Sequence, residues 1–158
     1  MAVLEDKVRF LQVEFTSLLK QIPSDTLPAW GKMTLQQMTE HFTDSVRLAS
    51  GKSAIKEIAT PAGNLQKMQD FLMSDKPFKE NTLNPMMPEV PVPVRNKNID
   101  DAFTELQKEL DYFFMVFQKN PHQLTRNPFF GDLNFQQNVQ LLYKHSLHHL
   151  RQFGITAA

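Results

Sequence analysis

Apolar residues recur every three or four positions in four long stretches of the chain, and this helical period restricts the fold more than any other feature. Such a period is typical of an amphipathic helix, whereas a half-buried strand alternates apolar and polar residues. No stretch of the sequence shows a convincing alternation. The four stretches are residues 4–22, 34–49, 98–117 and 134–153. The sequence therefore predicts an all-α fold.

Polar residues that can cap a helix precede three of these stretches. Thr34 is followed three positions later by Gln37, and Asn134 is followed three positions later by Gln137. In this spacing the first side chain accepts a hydrogen bond from a backbone N–H of the helix, while the glutamine reaches back to the cap residue. Asn98 can cap the third stretch through its side-chain oxygen. These residues therefore predict where the helices begin.

The middle of the chain is less regular and predicts a long connection. Residues 60–73 have the apolar spacing of a short helix with a proline in its first turn. Residues 74–98 show no period and are rich in proline, which removes backbone donors and favours extended conformations. Four amphipathic helices pack most simply as an up-and-down four-helix bundle, here with a long proline-rich crossover loop. We expect residues 1–158 to form one such domain.

Composition argues against several classes of function. The chain has 17 lysines and arginines and 17 aspartates and glutamates, so neither nucleic acid nor an anionic membrane is expected as a primary partner. Its apolar runs are far shorter than the roughly 20 residues of a membrane span, and the charged N-terminus lacks a secretory signal, which predicts a cytoplasmic location. The chain contains no cysteine. Any metal ion must therefore be bound through nitrogen and oxygen.

The last helical stretch carries three of the five histidines, in the segment KHSLHHLRQFG. At about 100° per residue, His149 lies roughly 40° from the centre of the apolar face, His145 roughly 80° and His148 roughly 140°. His145 and His149 therefore border the core, and His148 is expected to face water. Side chains four residues apart are neighbours along a helix, so this pair can bind one ion. The spacing alone is a weak signal, because histidines near helix C-termini also have solvated or capping roles.

A further histidine on another helix strengthens the metal interpretation. His41 lies roughly 90° from the centre of the apolar stripe of the second helix, again at the margin of the core. Helical bundles build metal sites from facing helices, and three neutral imidazoles leave a coordination position open for water or substrate. The sequence thus predicts a metal site of His41, His145 and His149; the alternative for His41 alone is a polar boundary residue. His122 has no helical partner and is expected on a surface loop.

Several other polar residues allow more than one interpretation. Asp44, one turn after His41, either accepts a hydrogen bond from a metal-bound imidazole or is a solvated carboxylate. In the proline-rich loop, Met86 and Met87 are candidates to cover the mouth of a metal pocket. Arg95 in the same loop is a candidate to bind an anionic group of a substrate. The position of this loop does not follow from the sequence.

Three segments of the chain carry a family resemblance: WGKMTLQQMTEHF at residues 30–42, NPFFGDLNFQQ at 127–137 and KHSLHHLRQFG at 144–154. They resemble the DUF1569 branch of the DinB/YfiT-like metalloenzyme superfamily, and the similarity in order and spacing covers most of the chain. The resemblance implies a four-helix bundle with a histidine triad that binds nickel or zinc.

The resemblance also assigns the site residue by residue. It matches the triad to His41, His145 and His149. Members of the superfamily often follow their last ligand with Arg-Gly-Gln. In this chain Gln152 falls on the glutamine of that pattern, whereas Arg151 is displaced by one position. The displacement leaves the match of His149 intact, but it does not assign a role to the arginine.

Two hypotheses for function follow. In the first, the protein is an enzyme in which a divalent metal on the three histidines supports hydrolysis or thiol-dependent transfer. The resemblance implies these reactions, because superfamily relatives include thiol-dependent S-transferases and a maleylpyruvate isomerase that uses a low-molecular-weight thiol. The expected partner is a small-molecule substrate, and none in particular is implied. In the second, a non-enzymatic helical bundle binds a ligand or partner, and its histidine cluster is vestigial or structural. Either protein could form a homodimer through an exposed apolar stripe.

Overall fold

The protein is mostly helical, as the sequence predicts. The structure, a computed structural model, describes residues 2–80 and 90–156. The first helix, α1, is composed of an α-helical segment Leu4–Arg9, a π-helical segment Phe10–Glu14 and a second α-helical segment Phe15–Lys20. The α-helices that follow in the described residues are α2 (Leu35–Ser50), α3 (Leu65–Met73), α4 (Ile99–Lys119) and α5 (Phe135–Gln152), and a 3₁₀ turn, Ala62–Asn64, directly precedes α3. No helix in this part of the chain is long and apolar enough to cross a membrane.

The predicted caps begin α2, α4 and α5. Thr34 Oγ1, Asn98 Oδ1 and Asn134 Oδ1 each accept a hydrogen bond from the backbone N–H three positions later, at 3.1, 2.8 and 2.9 Å respectively. Gln37 and Gln137 complete capping boxes, since their side-chain oxygens accept from the N–H groups of Thr34 and Asn134. The caps therefore determine the first turns of the two helices that carry the predicted metal ligands.

The π-helical segment in α1 changes which of its residues face the core. The N–H of Phe15 donates to the carbonyl of Phe10, five positions earlier, so the two side chains lie nearly on the same side of the helix. In a regular α-helix they would be separated by roughly 140°. Both rings are buried, and their centroids lie 6.0 Å apart. The prediction from the apolar period places Phe10 outside the core face, because it is based on an unbroken α-helix.

A short β-hairpin between α4 and α5 departs from the predicted all-α fold. Its strands, β1 (Thr125–Asn127) and β2 (Gly131–Leu133), pair in an antiparallel arrangement. Gly131 has a φ of 80°, which favours glycine, and Asn127 Oδ1 accepts hydrogen bonds from two backbone N–H groups of the turn. Strands of three residues are too short to show an alternating pattern, so the sequence offers no signal for them.

The main hydrophobic core lies among α1, α2, α4 and α5. Buried side chains from all four helices form one contiguous cluster, in which Phe15, Phe42 and Phe113 are fully buried. A second, smaller cluster lies under α3 and the hairpin and contains Leu72, Phe130 and Leu133. The long helices thus share one core, and α3 and the hairpin add a separate apolar layer.

The short helix α3 is fixed to α5 by polar contacts at its C-terminal end. Lys144 Nζ donates to the carbonyl oxygens of Phe71 at 2.9 Å and Ser74 at 3.3 Å, and Gln140 Nε2 donates to that of Leu72 at 3.0 Å. These donors satisfy carbonyls that a helix end leaves unpaired. Burial lowers the pKa of Lys144 to about 8. The chain that follows α3 therefore starts beside α5.

The predicted crossover loop is present only in part among the described residues. Residues 74–80 and 90–98 contain no helix or strand, as the sequence predicts. Gln37 Nε2 donates to the carbonyl oxygen of Val92 at 3.1 Å, which lays the second of these segments along the start of α2. Met86 and Met87 lie outside the described residues.

Candidate metal centre

The three histidines predicted as metal ligands meet at one point of the structure. His41 comes from α2, and His145 and His149 come from α5. One nitrogen of each ring lies within 4.8 Å of the nitrogens of the other two. The ring centroid of His41 is 5.4 Å from those of both His145 and His149. Three imidazole nitrogens from two helices can therefore contact a single cation.

Gln152 determines the orientation of the His149 ring. Its Oε1 lies 2.7 Å from His149 Nδ1, and its Nε2 donates to the carbonyl oxygen of Trp30 at 2.9 Å. Since a carbonyl oxygen can only accept, the second bond identifies the nitrogen of the Gln152 amide and leaves Oε1 to face His149. His149 Nδ1 must then carry the hydrogen. The lone pair of His149 is on Nε2, which faces the other two histidines.

The two histidines of α5 share a short contact. His145 Nε2 and His149 Nε2 are 2.8 Å apart, the length of a hydrogen bond. Because His149 Nε2 carries a lone pair, His145 Nε2–H is the donor in the absence of a cation. When His145 takes the tautomer with its hydrogen on Nδ1, both Nε2 lone pairs become available to one ion.

Burial lowers the pKa of all three histidines below the ordinary value. For His145 and His149 the pKa falls well below it, and neighbouring histidines add to the effect because imidazolium charges repel one another. For His41 burial is again the largest cause, and the negative charge of Asp44 opposes it in part. The three rings are therefore neutral near pH 7, which is the form that binds metal ions.

The donor set fits the metals that the family resemblance implies. Imidazole nitrogens are good ligands for Zn²⁺ and Ni²⁺, whereas Ca²⁺ and Mg²⁺ prefer oxygen. The cluster contains three nitrogens from the described residues and no carboxylate. His149 is 4% exposed, and His41 and His145 keep some exposure to solvent. The site is thus buried enough to orient its ligands, and two of them keep partial contact with solvent.

Asp44 and Arg95, the other polar candidates from the sequence, bind each other rather than the histidines. The Arg95 guanidinium lies 2.7 Å from Glu105 Oε1 and 3.2 Å from Asp44 Oδ1. Asp44 also pairs with Arg47, and its side chain is 59% exposed. Asp44 is therefore a solvated carboxylate. The interpretation of Arg95 as a free anion-binding group was wrong, because two carboxylates already neutralise it.

Glu40, next to His41, is a buried carboxylate that the sequence did not single out. It is 4% exposed and accepts hydrogen bonds from the backbone N–H groups of Arg95 at 2.8 Å and Asn96 at 3.0 Å. Burial raises the pKa of Glu40, but these bonds and those from the side chains of Asn96 and Gln36 outweigh it and lower the pKa overall. Glu40 thus fixes the end of the crossover loop to the helix turn that carries His41.

The histidine cluster is bordered by aromatic rings. Phe42, inside the core, lies with its ring centroid 5.0 Å from that of His145. On the other side, the ring centroids of His148 and His149 are 5.1 Å apart, and Trp30 lies edge-on to His148 at 5.3 Å. The expectation that His148 faces water was wrong. This ring is half-buried, because Trp30 and residues after α3 cover it.

The sequence predicts the position of His122 but not the contacts that Trp30 and Phe78 make with α5. His122 is exposed in the turn after α4 and lies outside the cluster, as expected. Trp30 reaches α5 because Gln152 holds its carbonyl group, and Phe78 approaches His148 to 6.5 Å between ring centroids. Both contacts join distant parts of the chain, so no local pattern could have predicted them.

Comparisons with known proteins do not identify the site, so its interpretation depends on its geometry. No family model, no curated protein sequence and no solved structure matches the chain. The membership of the DUF1569 branch therefore stays a prediction from the three sequence segments. What supports a metal centre is the meeting of three neutral imidazoles at one point.

Proposed function

We propose that the protein is a metal-dependent enzyme that acts on a small molecule, with a divalent ion, nickel or zinc, bound by His41, His145 and His149. The observation that carries the proposal is the convergence of three ring nitrogens within 4.8 Å. We also propose that the chain belongs to the DUF1569 branch of the DinB/YfiT-like superfamily. Its helices α1, α2, α4 and α5 would then form the up-and-down four-helix bundle of that superfamily.

An enzyme is favoured over a purely structural metal site because the described residues supply only three protein ligands to the cluster. Structural zinc sites use four protein ligands, whereas catalytic sites use three and keep one position open. When bound, a divalent ion supplies Lewis acidity, which lowers the pKa of a water or thiol and polarises a substrate. This chemistry is compatible with hydrolysis and with thiol-dependent transfer.

The residues of the chain hold the site ready for such an ion. Gln152 accepts the hydrogen of His149 Nδ1 and so directs Nε2 toward the centre. Phe42 packs against His145 on the core side, which limits the positions that this ring can take. Burial keeps the three rings neutral near pH 7, so no proton has to be displaced from an imidazolium before an ion binds.

A low-molecular-weight thiol is our proposed cosubstrate for the transfer reaction. The chain has no cysteine, so a sulfur nucleophile has to come from a second molecule. A thiol is a poor nucleophile until it loses its proton, and a cationic environment lowers its pKa. The cytoplasmic location and the homodimer stay predictions from the sequence.

Metal titration of three proteins tests the proposal. We expect the metal-free wild type to bind one Zn²⁺ or Ni²⁺ per chain in isothermal titration calorimetry, and His145→Ala to bind neither ion at micromolar concentration. His122→Ala is the matched control, because His122 is exposed and lies outside the cluster; it should bind as the wild type does. A wild type that binds neither ion would leave the non-enzymatic binding protein as the better hypothesis.

A further inference from the structure

Two buried polar atoms of the last turns of α5 have no hydrogen-bond partner among the described residues. They are His148 Nδ1 and Arg151 Nη2. The two residues lie three positions apart on α5 and are therefore neighbours on one face of the helix. Folded proteins pair nearly all of their buried polar atoms, and exceptions often mark the place of a missing ligand group. The ring of His148 contacts that of His149, with 5.1 Å between their centroids, and Arg151 is the neighbour of His148 on α5, which suggests a common partner for the two atoms.

The charge of Arg151 is less closely paired with a carboxylate than the charges of Arg95 and Arg126 are. Among the described residues it pairs with Glu80, whose Oε2 lies 3.7 Å from Arg151 Nε, and this distance is too long for a hydrogen bond. The Glu80 side chain is 55% exposed. By contrast, Arg95 and Arg126 each have a carboxylate oxygen at 2.7 Å. Arg151 thus keeps a positive charge that a ligand can use.

The surroundings of Arg151 restrict the kind of ligand. The ring of His148 lies between those of Trp30 and Phe78, at centroid distances of 5.3 and 6.5 Å. On the other side it is 5.1 Å from the ring of His149. A molecule that reaches from Arg151 to the histidine cluster therefore passes apolar ring surfaces between two polar ends.

We propose that Arg151 binds the carboxylate of a small organic acid whose reactive group lies at the three-histidine centre. The planar guanidinium matches a carboxylate with two parallel hydrogen bonds. His148 Nδ1, which donates or accepts according to its tautomer, pairs with a second polar atom of the same molecule. The proposal rests on the proposed function, because it assigns the substrate class of that centre.

The approach of such a ligand requires little rearrangement. The Arg151 side chain is 26% exposed, so part of the guanidinium is already open to solvent. Turning the side chain about its own torsion angles presents the buried Nη2 without movement of the helix backbone. Glu80 is the group that an incoming carboxylate displaces.

A matched pair of thiols tests the substrate class. 3-Mercaptopropionate and 3-mercaptopropan-1-ol share the thiol and the chain length, and only the first has a carboxylate. Trp30 is the only tryptophan of the chain and lies against His148, so its fluorescence reports binding at this place. We expect the zinc-loaded protein to bind the carboxylate probe roughly tenfold or more tightly than the alcohol. Equal affinities would overturn the proposal.

Variants separate the role of Arg151 from a general effect of charge. Arg151→Met should bind both probes equally, and Arg151→Lys should keep part of the preference, since lysine keeps the charge without the fork. Arg9→Met, which removes an exposed arginine of α1, should keep the full preference. Glu80→Gln should bind the carboxylate probe more tightly, because the competing carboxylate is gone. A preference that persists in Arg151→Met contradicts the assignment.

The failure of this proposal can be told apart from the failure of the metal centre. The same pair of probes is titrated into the metal-free wild type and the metal-free Arg151→Met. If zinc does not bind but the carboxylate preference depends on Arg151, the anion subsite stands and the metal centre fails. If zinc binds and neither the loaded nor the metal-free protein distinguishes the probes, the metal centre stands and the anion subsite is overturned.

Discussion

At the residue scale, Gln152 connects the histidine cluster to the rest of the molecule through one amide group. Its oxygen accepts from His149, and its nitrogen donates to Trp30. Residues that orient a metal ligand commonly affect metal affinity almost as strongly as the ligands themselves. The glutamine side chain therefore acts on the site without contacting the ion.

Replacing Gln152 tests this role. We expect Gln152→Leu to lower the affinity for Zn²⁺ by roughly 10- to 100-fold, because the His149 ring loses the acceptor that sets its tautomer. Gln152→Glu keeps an acceptor for His149 Nδ1–H but cannot donate to Trp30, so it should keep most of the affinity. Competition titration against a chromophoric chelator measures both values. Equal losses in the two variants would instead assign the effect to the contact with Trp30.

Glu40 gives a second prediction at this scale. Glu40→Ala leaves the part-buried backbone N–H groups of Arg95 and Asn96 without their acceptor. Since a hydrogen bond to a charged group contributes about 1.5–3 kcal/mol, we expect the free energy of unfolding to fall by roughly 2–4 kcal/mol. Urea denaturation measures it. Glu5→Ala, at an exposed carboxylate of α1, should change it by less than about 0.5 kcal/mol. Similar values for the two variants would contradict the role of Glu40.

Individual residues of the site differ in how far the sequence predicts them. The helical angles of His145 and His149 follow from their spacing to Val139 and Leu142, and the structure places both rings at the edge of the core. Glu40 lies roughly 140° around α2 from Leu35, so the same reasoning puts it outside the core. It is buried because residues from the end of the crossover loop cover it, and that contact has no local signature.

At the scale of elements, the π-helical segment of α1 determines the register of the first helix. Insertion of one alanine after Val13, whose side chain is 58% exposed, adds a further residue to the segment and turns the preceding part of α1 by roughly 100°. Phe10 and Leu11 then leave the core. We expect the free energy of unfolding in urea to fall by roughly 2–5 kcal/mol, the range for losing a large core side chain.

The control for this insertion is a substitution at Val13 itself. Val13→Ala keeps the segment and should change the free energy of unfolding by no more than about 0.5 kcal/mol, because the side chain faces solvent. An insertion variant as stable as Val13→Ala would mean that the segment can take up a further residue without loss of packing.

The elements that the sequence predicts are those with a long period and a cap. Helices α2, α4 and α5 begin at the predicted residues, because a cap side chain and its partner three positions later form a local structure. The hairpin at residues 125–133 was missed, because each strand has only three residues and is held by tertiary contacts. Thr125 Oγ1, for example, donates to the carbonyl of Ala49 at 2.8 Å.

At the scale of the whole molecule, the buried neutral histidines make stability depend on pH. In the folded protein the pKa values of His41, His145 and His149 lie below 6.5. Above pH 6.5 the rings are neutral in the folded and the unfolded chain; below it the unfolded chain takes up protons first, so stability is lost as the pH falls. We expect the free energy of unfolding of the metal-free protein to decrease from pH 7 to pH 5.

Urea denaturation of metal-free protein across this range measures the effect. A double variant, His145→Gln with His149→Gln, should show a flatter dependence, since two of the responsible groups are gone. Glu40 and Glu105, whose pKa values are lowered below 4.5, act only at lower pH and do not interfere. An equally steep profile in the double variant would refute the explanation.

The arrangement of the whole chain follows from the sequence only in part. Four long helices around one core agree with the four periodic stretches, because burying an apolar stripe on each helix requires a common core. The course of residues 74–80 and 90–98 could not be predicted, since segments without a period contain no information about the surface they cover. These two segments contact α2 and α5 through individual side chains and not through a repeated pattern that the sequence would show.

The backbone of Gln152 has one more consequence. Its carbonyl oxygen accepts from the N–H of Ala29 at 2.7 Å, so the connection between α1 and α2 is tied to the last turn of α5 by main chain as well as side chain. The Ala29 amide proton is thereby sheltered from exchange with solvent for as long as that turn stays closed. A hinge motion that separated α5 from this connection would first have to break both hydrogen bonds, one to the Gln152 carbonyl and one from its side-chain amide. The same motion would separate the histidines of the cluster.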